Sequence, residues 1–146
     1  MKTASIYLKD NMIRIVTEAQ TTAGLYIAYL PVFFLKDADS QEEIGLTILK
    51  ALDGFKVGIP HPKNQQEFKI HDMQFNEAMK IKSWRTFMKD SKLLSLKMNE
   101  GKIIIIPYKN SGPKEGFDEL EHKSRTCRPV PEELGRVILE MFEECE

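Results

Sequence analysis

Three histidines and two cysteines are the side chains of this 146-residue sequence best suited to metal or nucleophilic chemistry. His61 stands between Pro60 and Pro62, His71 in a polar stretch and His122 among acidic residues, and none makes an HxxxH, HExxH or mixed Cys/His spacing. A metal site would have to be assembled by the fold, and none is expected. Cys127 is flanked by Arg125 and Arg128, and nearby cations favour thiolate. With no paired histidine to act as base, an unreactive cysteine in a charged loop is the simpler reading. Cys127 and Cys145 are too few for a disulfide framework and are expected to be free thiols. The eight glycines are scattered, so no phosphate-cradling loop forms, and no GxSxG or serine-triad signature is present. No catalytic residue and no cofactor is assigned from these motifs.

Charge carries more information than reactivity. The formal net charge is −1, but residues 56–97 hold nine Lys/Arg against four Asp/Glu, and residues 111–146 hold five against ten. Glu115, Asp118, Glu119 and Glu121, with Glu140, Glu143 and Glu144, can present a negative face to a basic protein; solvated surface is the plain alternative. An acid–base pair is disfavoured there, because separating two carboxyl pKa values takes burial that so charged a segment lacks. Lys56, Lys63, Lys69, Lys80, Lys82, Arg85, Lys89 and Lys92, interleaved with Phe68, Phe75 and Trp84, suggest a single-stranded nucleic-acid surface. Against this, Trp84 and Phe87 sit at the spacing of one helix face, and the pI near 6.3 lacks a strongly basic signature.

These residues need a scaffold, and the sequence supplies one twice. Ser5–Val16 alternates apolar and polar residues about Asp10-Asn11, and Lys97–Pro107 does so about Gly101, which predicts two β-hairpins. A shift of ninety positions carries Ile6, Leu8, Ile13 and Ile15 onto Leu96, Met98, Ile103 and Ile105. The same shift carries Glu42-Glu43-Ile44-Gly45 onto Glu132-Glu133-Leu134-Gly135, so the chain reads as two copies of one strand-then-helix unit. Leu25–Leu35 is a third strand region interrupted by Pro31, at a bulge or an edge. Ser40 is the expected cap of a helix bearing Ile44, Ile48, Leu49 and Leu52, with Glu43 placed to complete a capping box. Pro131 opens a second helix bearing Leu134, Ile138, Leu139 and Phe142.

Between the units, Gly58–Pro62 reads as a rigid turn or loop, residues 67–80 as a helix, and Ser83 as the cap of a short helix whose Trp84, Phe87 and Met88 plug the core. Ile103–Ile106 is expected to be covered on both faces, and 110–128 to form a long exposed loop or edge strands. The expected domain is 1–146, with units at about 5–54 and 94–144 and an insertion at about 55–93. Neither a membrane-length apolar run nor a signal peptide appears, which predicts a cytoplasmic protein. An exposed sheet edge would permit pairing with a second copy in a homodimer.

Taken in order, Gly24–Ala28 running to Pro31-Val32, Glu42–Gly45, Gly58–Pro62, Lys82–Lys89 and Gly101–Pro107 resemble a known family. It is that of the immunity proteins of bacterial contact-dependent growth inhibition (CDI), specifically those with a Whirly-like fold. The resemblance spans about residues 5–142. It implies an α+β fold, with two-layer packing of antiparallel sheet and helices, in agreement with the repeat. It also implies an antidote that binds the C-terminal toxin domain of a surface effector, commonly a nuclease, in stoichiometric fashion. The shared phrases are strand, cap, turn and plug, so no toxin-contact residue follows from them.

Overall fold

The computed structural model describes residues 1–146. Its first hairpin joins β1 (Lys2–Lys9) to β2 (Met12–Thr21) through Asp10 and Asn11, with φ of 51° and 65°. Its second joins β5 (Lys92–Asn99) to β6 (Lys102–Asn110) through Glu100 and Gly101, with φ of 52° and 77°. Positive φ at both central positions gives the turn whose twist matches that of the flanking strands. The hairpins share one register: Ile6 faces Ile15, and ninety positions on, Leu96 faces Ile105. β1 and β5 pair antiparallel with Ser5 opposite Ser95, so the two units meet about an approximate two-fold through that pair.

β3 (Tyr26–Lys36) and β7 (Phe117–Glu119) complete a sheet of order β3-β2-β1-β5-β6-β7; β4 (Lys56–Ile59) pairs with β2 and β8 (Arg125–Cys127) with β6. β3 and β2 pair at Val32 with Val16 and again at Ala28 with Glu18, so three residues including Pro31 oppose one. The expected bulge at Pro31 is therefore present. In the second unit the matching region is split into β7 and β8 by a 3-10 turn, Glu121–Lys123. Gly58–Pro62 was expected as a rigid turn or loop, but its first two residues belong to β4. β2 outruns β1 beyond Thr17, and β4 takes the vacated edge in parallel, opposite Ala19–Thr21. Four residues are too few to show a period, which is why the sequence hides it.

Helices α1 (Gln41–Asp53) and α4 (Pro131–Phe142) cover one face. Their Ile44, Ile48, Leu52, Leu134, Ile138 and Phe142 bury against Ile6, Ile13, Ile15, Leu94, Leu96, Ile103 and Ile105. The Ser40 hydroxyl caps α1 by accepting the Glu43 N–H at 3.1 Å; Glu43 returns no bond, so the cap is one-sided. The repeated glycines allow the helices to touch backbone to backbone. A Cβ on Gly45 would stand 1.8 Å from the Pro131 carbonyl oxygen, and one on Gly135 1.9 Å from that of Gln41.

The insertion lies on the opposite face, as α2 (Gln65–Met79) and α3 (Trp84–Met88). Ser83 caps α3 as expected, accepting the Thr86 N–H at 3.2 Å. Met79 and Phe87 pack on Tyr7, Val16 and Leu93, with Phe75 and Trp84 beside them. On β6 this face is closed at Ile106 and Tyr108 but left open at Ile104. Ile103, Ile105 and Ile106 are buried, but Ile104 is 39% exposed, which corrects the expectation that the whole apolar run is covered on both faces. No helix of the molecule is long and apolar enough to cross a membrane.

Candidate functional site

The seven carboxylates expected to form a negative face divide into two groups. Glu115 lies in the turn before β7, Asp118 and Glu119 on β7, and Glu121 in the 3-10 turn; all four are exposed. Ser111 Oγ donates to Asp118 at 2.7 Å and the Tyr108 hydroxyl to Glu119 at 3.0 Å, contacts that aim the two groups without cancelling their charge. In the α4 group two of the three are compensated. Glu140 faces Arg136 at 3.0 Å and Arg125 at 3.3 Å, and Glu144 lies 4.0 Å from Lys123, which also holds Glu146 at 2.9 Å. Glu143 is exposed and makes no ion pair.

Exposed pairs of this kind contribute little to stability, about 0–1 kcal/mol each. Their effect here is on the surface field. Glu133 and Glu146 titrate below the ordinary carboxylate range because hydrogen bonds from Arg128 and Lys123 hold their charged forms. Of the seven carboxylates, Glu140 and Glu144 are thus paired, while Glu115, Asp118, Glu119, Glu121 and Glu143 make no ion pair.

The basic segment shows the reverse pattern. None of Lys56, Lys63, Lys69, Lys80, Lys82, Arg85, Lys89 and Lys92 makes an ion pair. The interleaved aromatics, however, pack against neighbouring rings and line a cleft instead of forming an open platform along which successive bases could stack. Trp84 meets the Tyr7 ring edge-on at 5.6 Å and lies 6.0 Å from Phe75, while Phe68 packs edge-on against His61 at 5.7 Å.

His61 is bonded to the Thr21 hydroxyl at 2.9 Å, and His71 Nε2 donates to the Ala28 carbonyl at 2.7 Å. No three His, Cys, Asp or Glu side chains converge on a metal-sized space. Cys127 is buried, and burial pushes its thiol above the usual range despite Arg125. Arg128 points instead to Glu133, at 3.1 Å, so the flanking cations do not activate the thiol. Cys145 is also raised by burial, its Sγ donating to the Leu93 carbonyl at 3.4 Å.

Sequence reasoning missed Glu18. It shares a sheet face with Ser5 and Tyr7, and Ser5 Oγ donates to its carboxylate. Burial, with Glu119 and Glu18 adding to it, pushes the Tyr108 phenol up to about 12. Phe117 stands between Tyr108 and Tyr7, 6.4 Å from one ring and 6.2 Å from the other. The acids of β7 and Glu18 therefore border one aromatic surface. A glutamate in an alternating strand gives no sequence signal of that.

The molecule is thus an α+β protein, an antiparallel sheet with helices on one face and a partial insertion on the other. The family model for the CDI immunity protein, CdiI, matches residues 2–145, and the chain belongs to that family. Two solved structures share its fold. A protein of unknown function from Neisseria meningitidis is 18% identical, with a TM-score of 0.77 over 99% of this chain and 95% of that one. A chain of a CdiA-CT/CdiI toxin and immunity complex from Yersinia pseudotuberculosis is 13% identical, with a TM-score of 0.75 over 99% of this chain and 97% of that one. No curated protein matches it in sequence.

Proposed function

We propose that this chain is an immunity protein that binds and neutralises the C-terminal toxin domain of a cognate CDI effector in the bacterial cytoplasm. The family match over residues 2–145 carries the reading. Inhibition is stoichiometric, by covering the toxin's active site or substrate path. The toxin in this reading is a nuclease, most simply an RNase. Its basic substrate cleft meets Glu115, Asp118, Glu119 and Glu121, with Glu143 at the margin and Glu140 and Glu144 contributing through their paired network. Complementary fields of this kind speed encounter and set orientation. The test is co-expression with the toxin domain encoded immediately upstream. Growth should be restored and the two chains should co-purify; continued growth arrest with no complex would overturn the proposal.

One observation favours a second reading, a module that binds single-stranded nucleic acid: the eight cations of the basic segment lack carboxylate partners. Tight oligonucleotide binding without toxin, weakening steeply with salt as counterion release requires, would support it. The inward packing of Trp84 and Phe75 argues against it.

A further inference from the structure

Between α2, α3 and the sheet lies a cleft of about 540 Å³ whose lining includes Glu18, Tyr7, Asp72, Phe75 and Trp84 but no lysine or arginine. One oxygen of Glu18 accepts from Ser5, and no protein donor reaches the other. The nearest cation on that strand face is turned away: Arg14 Nε donates to the Met79 carbonyl at 2.9 Å, and its guanidinium lies 4.9 Å over the Phe87 ring. A carboxylate partly withdrawn from water normally finds a counter-charge or a full set of donors. Glu18 has neither.

Tyr7 supplies a second, independent observation. It is only 9% exposed, it borders the cleft, and its hydroxyl has no hydrogen-bond partner in the protein. The ring is buried while the hydroxyl stays open to the cleft, so an unpaired polar atom is held at the void, where a partner could reach it. Burial first, then the charge of Glu18, pushes the Tyr7 phenol above its ordinary range, which keeps it neutral and leaves its oxygen able to accept. His71 spends its Nε2 hydrogen on the Ala28 carbonyl, so its Nδ1, 3.7 Å from Asp72, adds no donor while the ring is neutral. The cleft thus sets an unpaired carboxylate oxygen, beside the Tyr7 hydroxyl and the Asn76 amide, among aromatic rings, with no lysine or arginine on its wall.

The geometry points to a guanidinium site: we propose that this cleft takes one arginine side chain of the bound toxin domain, its N–H fork on Glu18 and the Tyr7 oxygen and its plane against the aromatic wall. Arginine fits better than lysine, because a planar, weakly hydrated cation with five donors bridges two acceptors and stacks on a ring. Continuity with the proposed interface assigns the arginine to the toxin. Tyr7 lies 6.2 Å from Phe117, the residue that precedes Asp118 and Glu119 on β7. A free amino acid would bring its own carboxylate toward Glu18 and Asp72. The identity of the arginine's owner rests on the proposed function; the chemistry of the cleft does not.

Trp84 is the only tryptophan of the chain, so its fluorescence and its indole N–H resonance report on this cleft. The probe is arginine blocked as its acetyl methylamide, titrated into the full chain beside blocked lysine, blocked citrulline and free L-arginine. Blocked arginine should give a saturable Trp84 shift, blocked lysine and free arginine weaker ones, and neutral citrulline none. Glu18→Gln, which keeps the acceptor for Ser5, should weaken blocked arginine about tenfold, the worth of one charge-assisted contact. Tyr7→Phe should weaken it less, with circular dichroism showing both variants folded. A flat titration, an equal response to citrulline, or undiminished binding in both variants would overturn the site, and tighter binding of free arginine would overturn its assignment to a protein partner. No toxin is needed for this experiment, so it and the co-expression test fail separately.

Discussion

Gly45 and Gly135 show how much one missing methyl group can decide. Each faces a carbonyl of the opposite helix at a distance no Cβ could tolerate, and the obstructing atoms are backbone that cannot swing aside. Alanine at either position must push α1 from α4 and reopen the core beneath them. Gly45→Ala and Gly135→Ala should each cost about 3 kcal/mol or more, read as a lowered denaturation midpoint with unchanged m-value. Tyr108 allows a different test at the same scale. Its phenol is held up to about 12 against an ordinary value of 10.0, so the folded chain keeps a proton that the unfolded chain releases. Stability linked to this group is intact below pH 10 and falls as pH rises through about 12. Stability measured across this range, with phenolate absorbance followed in parallel, checks the sign. Among carboxylates, by contrast, the sequence could count charges but not pair them. Arg136 lies one helical turn from Glu140, whereas Arg125 reaches Glu140 from β8 and only the fold brings them together.

At the scale of elements, the legible parts were those encoded locally. The hairpin turns, the Ser40 and Ser83 caps and the α1 and α4 stripes each need only a few adjacent residues, and each is present. What required knowledge of neighbours was hidden. β4 exists because β2 outruns β1, and Ile104 is exposed because α2 and α3 cover Tyr7, Val16 and Leu93 without reaching it. The difference between adjacent isoleucines is measurable. Ile105→Thr, in the core, should destabilise by about 1.5–3 kcal/mol or more, since it loses apolar burial and places a hydroxyl there. Ile104→Thr should cost under about 1 kcal/mol, as on a partly exposed strand face. Equal losses at both positions in urea unfolding would contradict the one-sided cover.

For the whole molecule, duplication about the Ser5–Ser95 pair builds a scaffold, and the departures from symmetry carry the surface chemistry. The insertion makes one half of the second face concave, while the split between β7 and β8 places Asp118 and Glu119 at the sheet edge. If that edge steers a basic toxin, the association rate should fall about tenfold between low and high salt. Combined charge reversal of Asp118, Glu119 and Glu121 should abolish most of this dependence. A rate indifferent to both would move the interface elsewhere. The most direct measurement is a titration of the cognate toxin domain's catalytic activity with this chain. The account predicts a linear loss of activity reaching zero at one equivalent; full activity in the presence of excess chain would contradict it.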